Sequence, residues 1–177
     1  MSKSKILLQS LMFFIGCQFS MINAIAQETH LVQFKIKDQF NREFTEKSWG
    51  DSILVLIGSD RDGSVYNEGW GAAINDSLAS YPGGETIHFV PHADIRGAPF
   101  FMKGFIRGKF PKEREKWVMM DWKGVFSKAY QFVKGESNIL VFDRQRKLVH
   151  QTSGKEVTPA ALGGILAALK GILMVDN

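Results

Sequence analysis

Five consecutive apolar residues, Ile53-Leu54-Val55-Leu56-Ile57, constrain this chain more than any other stretch. The run shows no alternation, so a strand made from it needs cover on both faces, the position of an interior strand in a layered sheet. Gly58 is expected to end that strand. A polar loop follows at 59–63, and then Trp70, Ile74 and Leu78 fall four apart, with Ala73 and Tyr81 nearby. This spacing predicts a helix over 64–80, stopped by Pro82-Gly83-Gly84. Asp60, Arg61, Asp62 and Ser64 thereby fall at the mouth of the interior strand, where open α/β sheets tend to bind ligands.

Around this unit the pattern supplies further layers. Val32, Phe34 and Ile36 alternate with Gln33, Lys35 and Lys37, as in a half-buried strand, and residues 38–41 read as a turn into a short partner at 42–44. Residues 86–90 form the next strand, closed by Pro91. Over 99–107, Phe101, Met102, Phe105 and Ile106 share one helical face and Lys103 and Arg107 another. That face is expected to pack on the sheet; the alternative is an amphipathic helix for a membrane surface or a partner. A densely charged connection at 109–116 leads to a short strand at 117–120, a turn at 122–124, and a short helix lined by Phe126, Ala129 and Tyr130. Residues 139–142 and 147–151 flank a turn and predict a hairpin. Thr158 then caps a last helix with Pro159 at its first position and Leu162, Leu166 and Leu169 as its buried stripe.

With 177 residues, 45% of them hydrophobic, the chain suits one globular domain, preceded by a leader. Lys3 and Lys5 precede an apolar run at 6–22, and Ala24-Ile25-Ala26 offers small residues for a signal peptidase. We expect cleavage after Ala26, leaving a domain of residues 27–177 in the periplasm or outside the cell. Gln9, Ser10 and Gln18 interrupt the run, which is short for a span of about 20 residues, so no stable membrane span is expected after cleavage. Cys17, the chain's one cysteine, lies in this leader; lipid attachment there, in Phe14-Ile15-Gly16-Cys17, is the alternative. Cleavage after Ala26 removes every possible disulfide, thiolate nucleophile and thiolate metal site. Losing Lys3 and Lys5 also lowers the net charge from +4 to +2, too mild for a nucleic-acid partner.

Phe34-Lys35-Ile36-Lys37-Asp38 up to Phe44 with Trp49-Gly50-Asp51, the run at 116–130 with its Asp121-x-x-Gly124 turn and Ala129-Tyr130 end, and Leu140-Val141-Phe142-Asp143-Arg144 are three stretches that resemble the peroxiredoxin and TlpA-type group of the thioredoxin-like superfamily. Together they cover roughly 31–173, and 95–130 is most similar to the exported YtfJ-type family. The resemblance, like the order of elements, implies an α/β fold, a thioredoxin-like α/β/α sandwich with a mixed central β-sheet. It also implies thiol redox activity, from which this chain departs. Asp62-Gly63-Ser64-Val65, or with a one-residue slip Asp62 to Tyr66, stands where the group carries its redox cysteines, and Ser137 stands where the fold usually has a cis-proline facing them.

The remaining polar residues allow two readings. Asp60, Asp62 and Ser64 precede a helix and can cap it, at about 0.5–2 kcal/mol, or Asp60, Arg61 and Asp62 can line a polar pocket. His92 and Asp94 are expected at the same sheet end, as exposed loop residues, with His88 sharing their face if the strand stays regular through Pro91. A divalent metal on Asp60, Asp62, His92 and Asp94 is the alternative, although the spacing matches no strong metal motif. His30 and His150 are poor catalytic candidates. Ser64 and Ser137 lack a Gly-x-Ser-x-Gly elbow, and the glycines at 69–71 and 163–164 lack a phosphate-loop context. We therefore expect no cofactor and no metal, and an exported binding or accessory module meeting a protein or small-molecule partner in the cell envelope. The alternatives are an antioxidant or oxidoreductase using groups other than cysteine, and a metal-binding accessory protein.

Overall fold

The computed structural model describes residues 29–175. The leader at 1–26, its cleavage site and Cys17 lie outside the described residues. The run that begins at Ile53 forms β3 (Ile53–Ser59), with all seven residues buried. It lies third in a five-stranded sheet of order β5-β4-β3-β6-β7, where β4 is Ile87–Asp94, β5 Met119–Asp121, β6 Ser137–Phe142 and β7 Leu148–Gly154. β3 runs parallel to β4 and antiparallel to β6, β4 parallel to β5, and β6 antiparallel to β7, which makes the sheet mixed as expected.

Alternate residues of β3 face two different layers. Ile53, Val55 and Ile57, with Ile139 and Val141, pack under α1 (Asn67–Leu78) and α4 (Pro159–Val175), which contribute Trp70, Ile74, Leu78, Ile165, Leu169 and Leu173. Leu54 and Leu56, with Val90, Met119, Leu140 and Phe142, pack under α3 (Val125–Ala129) and a separate ribbon of β1 (Lys35–Lys37) and β2 (Glu43–Thr45). Each fully buried aliphatic side chain contributes about 1.5–3 kcal/mol, so the strand anchors both layers at once. Trp70 ties α1 to the end of β7 by donating from Nε1 to the Gly154 carbonyl at 3.0 Å. Thr158 caps α4 as expected, its Oγ1 accepting from the Ala161 N–H. The stripe α4 buries is Ile165, Leu169 and Leu173, with Leu162 and Leu166 at its margin.

Four expectations need correction. Gly58 does not end β3, which continues to Ser59. Pro91 does not close β4, which runs on to Asp94; the ladder to β5 starts only at His92, so one flank of the strand is free at Pro91 and a missing N–H can be tolerated there. The first strand is only three residues long, because the chain at 29–31 lies against the start of β7 instead, with Leu31 N–H donating to Arg146 O. The segment at 99–107 is a 3-10 turn (Phe100–Met102) followed by α2 (Lys103–Arg107), and it buries no residue against the sheet.

Gly58 has a packing reason that its neighbours in sequence do not show. A Cβ there would lie 2.7 Å from His92 Nδ1 and 2.9 Å from the Phe132 ring, both on the α3 face. Gly58→Ala is therefore expected to overpack this point and cost about 1–3 kcal/mol, read as a lowered urea midpoint with an unchanged slope. An unchanged midpoint would mean that His92 and Phe132 yield freely.

Candidate functional site

The parallel pairing of β3 and β4 brings their C-terminal ends to one edge of the sheet, as expected for 60–64 and 92–94. What that edge does with the predicted residues differs from one to the next. Asp60 is half-buried, and its Oδ1 accepts the Gly63 N–H at 2.9 Å while both carboxylate oxygens accept the Gly135 N–H at 3.1 and 3.2 Å. It is therefore a brace between two loops rather than a helix cap. Ser64 opens a 3-10 turn (Ser64–Tyr66) that leads into α1, and no side chain caps either element. Its hydroxyl donates to the Arg61 carbonyl at 2.7 Å. Arg61, Asp62 and Ser64 are exposed and form the outer surface of the loop.

The loop at 133–136 closes the other side. Asn138 accepts the Val133 N–H and donates to the Val133 and Glu136 carbonyls, and Glu136 Oε2 accepts from Ser153 Oγ at 2.7 Å. Gly63 lies so near this loop that a Cβ on it would meet the Glu136 backbone. Ser137 is fully buried as the first residue of β6, and no cis peptide bond occurs among the described residues. Behind the loop, Asn67 donates to Ser59 Oγ at 2.9 Å, while Asn67 Oδ1 and Ser137 Oγ are buried without a hydrogen-bond partner among the described residues.

His92 and Asp94 are not exposed loop residues, because β4 continues past Pro91 and carries both inward. His92 is 1% exposed and is ringed by Gly58, Phe126 at 5.0 Å and Phe132 at 5.6 Å between centroids. Its Nε2 lies 3.3 Å from Asp121 Oδ2, and its Nδ1 is buried without a partner. Asp94 pairs with Arg96, its Oδ2 3.0 Å from Arg96 Nε. His88 is exposed near the opposite end of β4. The proposed metal set of Asp60, Asp62, His92 and Asp94 is thus dispersed among a brace, an exposed surface and two separate pairs, His92 with Asp121 and Asp94 with Arg96. Among the described residues no group of three or more His, Cys, Asp or Glu side chains could hold a metal ion.

Asp121 is the residue that sequence reasoning missed. It stands in the Asp121-x-x-Gly124 turn, and a carboxylate just before a helix is a recognisable signal, yet nothing in its neighbourhood points to His92, 29 residues away. Burial pushes its carboxyl up, but the hydrogen bond and charge of His92 and the N–H groups of Phe126 and Lys123 outweigh that and hold it below the usual carboxylate range. A carboxyl with a depressed folded value stabilises the fold above the usual carboxylate range and loses that contribution as pH falls towards the folded value. Asp121→Asn is therefore expected to be destabilising at neutral pH, with the gap to the parent narrowing as pH falls from about 5 to about 2 in urea unfolding. A gap that is constant across that range would remove the ionised carboxylate from the account. Asp60→Ala is expected to cost about 2 kcal/mol, as the hydrogen bonds of two backbone N–H groups to a carboxylate are lost, that of Gly135 shared between both oxygens, and to speed amide hydrogen exchange at Gly63 and Gly135 first. Unchanged exchange at both glycines would show that Asp60 is no brace.

No family model and no curated protein sequence matches the chain. Solved structures do match it. The exposed lipoprotein thioredoxin of Streptococcus pneumoniae superposes with a TM-score of 0.54 at 15% identity, over 79% of this chain and 99% of that one. The thioredoxin domain of a thiol-disulfide oxidoreductase from Bacteroides vulgatus gives 0.51 at 10%, over 82% and 99%, and peroxiredoxin Q of Xanthomonas campestris gives 0.51 at 14%, over 81% and 98%. At such identities the likeness speaks for the backbone, and with the mixed sheet and its flanking helices it settles the fold: this chain is a thioredoxin-like α/β/α sandwich of the kind shared by thiol-disulfide oxidoreductases and peroxiredoxins.

Proposed function

We propose that the chain is an exported thioredoxin-like domain that serves as a binding or accessory module of the cell envelope rather than as a thiol oxidoreductase. One observation carries the proposal. At the strand-to-helix loop where the resemblance leads one to look for sulfur, the Asp60 carboxylate clamps Gly63 and Gly135 together, and Arg61, Asp62, Ser64 and Val65 face outward. A thiol exchange site needs an accessible thiolate at this point. A clamped loop with a cation, a carboxylate and a hydroxyl on its surface suits polar recognition of a protein or small molecule instead. The leader supports export, with Lys3 and Lys5, the apolar run at 6–22 and Ala24-Ile25-Ala26.

The enzyme alternative has a weaker footing. His92 is the one imidazole near the loop, but its Nε2 is held by Asp121 and its Nδ1 is sealed beneath Gly58 and Phe132, so neither nitrogen reaches a substrate.

Protein purified from its native host is expected to have the mass of residues 27–177 and to leave insulin disulfides and hydrogen peroxide unreacted above the uncatalysed rate. Turnover of either substrate by this cysteine-free form would overturn the proposal. A mass retaining Cys17 with an added lipid would replace the free module by an anchored one.

A further inference from the structure

The turn Phe100–Met102 and helix α2 present apolar side chains that the described residues leave exposed. Phe100 is 83% exposed, Phe101 82% and Phe105 59%, and no residue of either element is buried. Single exposed apolar residues are ordinary, but three phenylalanines within six positions form a patch. The patch is set among cations. Lys103 Nζ lies 4.9 Å from the centre of the Phe100 ring and 5.1 Å from that of Trp122, and Lys109 Nζ lies 4.9 Å from that of Phe105. Residues 99–116 hold six Lys and Arg against two Glu, whereas the whole chain holds 22 against 18. Positive charge is therefore concentrated where the phenyl rings protrude.

We propose that this surface seats on an anionic lipid bilayer, with Phe100, Phe101 and Phe105 entering the boundary of the acyl region and Lys103 and Lys109 meeting the phosphates. The chemistry favours lipid over a protein partner on two counts. Phenylalanine has no polar group to satisfy, so several side by side suit a deformable apolar layer, whereas protein hot spots favour Trp, Tyr and Arg seated in matching pockets. Lysines lying on the ring faces can also swing outward on their flexible stems and keep their charge at the headgroups while the rings go deeper. No helix among the described residues is long and apolar enough to cross a membrane, so the attachment would be peripheral. The inference stands apart from the reading of the 60–64 loop and does not depend on it.

The test uses the protein in the form its native host produces and vesicles of phosphatidylcholine with or without phosphatidylglycerol. Binding is expected to anionic vesicles, to weaken with added salt, and to fall by about tenfold or more in the F100S/F101S/F105S variant. The K103E/K109E variant is expected to lose the preference for anionic vesicles. Brominated lipids should quench Trp122, a signal absent from Trp122→Phe, which reads this surface and not any other contact of the chain with lipid. Equal binding of the parent and the triple phenylalanine variant, or no quenching of Trp122, would overturn the proposal. So would phenylalanine-dependent binding to polyglutamate with none to vesicles, which would assign the patch to an acidic protein. All three phenylalanines are exposed, so their replacement is expected to leave the far-ultraviolet circular dichroism unchanged.

Discussion

The complete burial of β3 is the constraint on which the rest of the structure depends. A strand with apolar residues on both faces cannot lie at a surface, so it demands one layer against Ile53, Val55 and Ile57 and another against Leu54 and Leu56. Helices α1 and α4 meet the first demand; α3 and the β1-β2 ribbon meet the second. The ladder partners follow, since β4 must run parallel to β3 after the α1 crossover, while the short hairpin turn lets β6 and β7 run antiparallel. Everything at the C-terminal end of β3 is held in place by this arrangement.

At that end the fold exchanges one kind of order for another. The strand-to-helix loop of a thioredoxin-like domain is positioned by the sheet and the helix on either side of it. Here a third tie is added, from Asp60 across to Gly135, and the near contact of Gly63 with Glu136 closes the gap between the two loops. One strand away, His92 and Asp121 form a second, fully buried tie between β4 and the residue that ends β5. These are polar interactions in positions where a broken partner would leave a buried or half-buried group unsatisfied, so they rigidify the edge.

How much of this could be read from the sequence depended on the range of the interaction. The apolar run at 53–57, the four-residue spacing of Trp70, Ile74 and Leu78, and the Thr158-Pro159 start of α4 are local signals, and each became the expected element. Gly58 and Pro91 misled because both are read as strand breakers from their own chemistry. Gly58 is instead a glycine because His92 occupies the space above it, and Pro91 is tolerated because the neighbouring ladder starts one residue later. The same long-range contact turned His92 from an expected surface residue into a core one. Periodicity over 99–107 identified an apolar face but carries no information on what covers it, and here the described fold half-buries Met102 and Ile106 while leaving Phe101 and Phe105 exposed.

That uncovered face and the braced loop share a location that follows from strand direction. Because β3, β4 and β5 are mutually parallel through shared neighbours, their C-terminal ends all open at one edge of the sheet. Asp60 to Ser64 leave from β3, Asp94 and Arg96 from β4, and Trp122 follows directly on β5, where Lys103 stacks over its ring. The phenylalanine-bearing turn is thus tied to the same edge as Arg61 and Asp62. Whatever rests on Phe100, Phe101 and Phe105 therefore sits at the end of the sheet where the loop presents its polar groups. One set of parallel strands positions both surfaces.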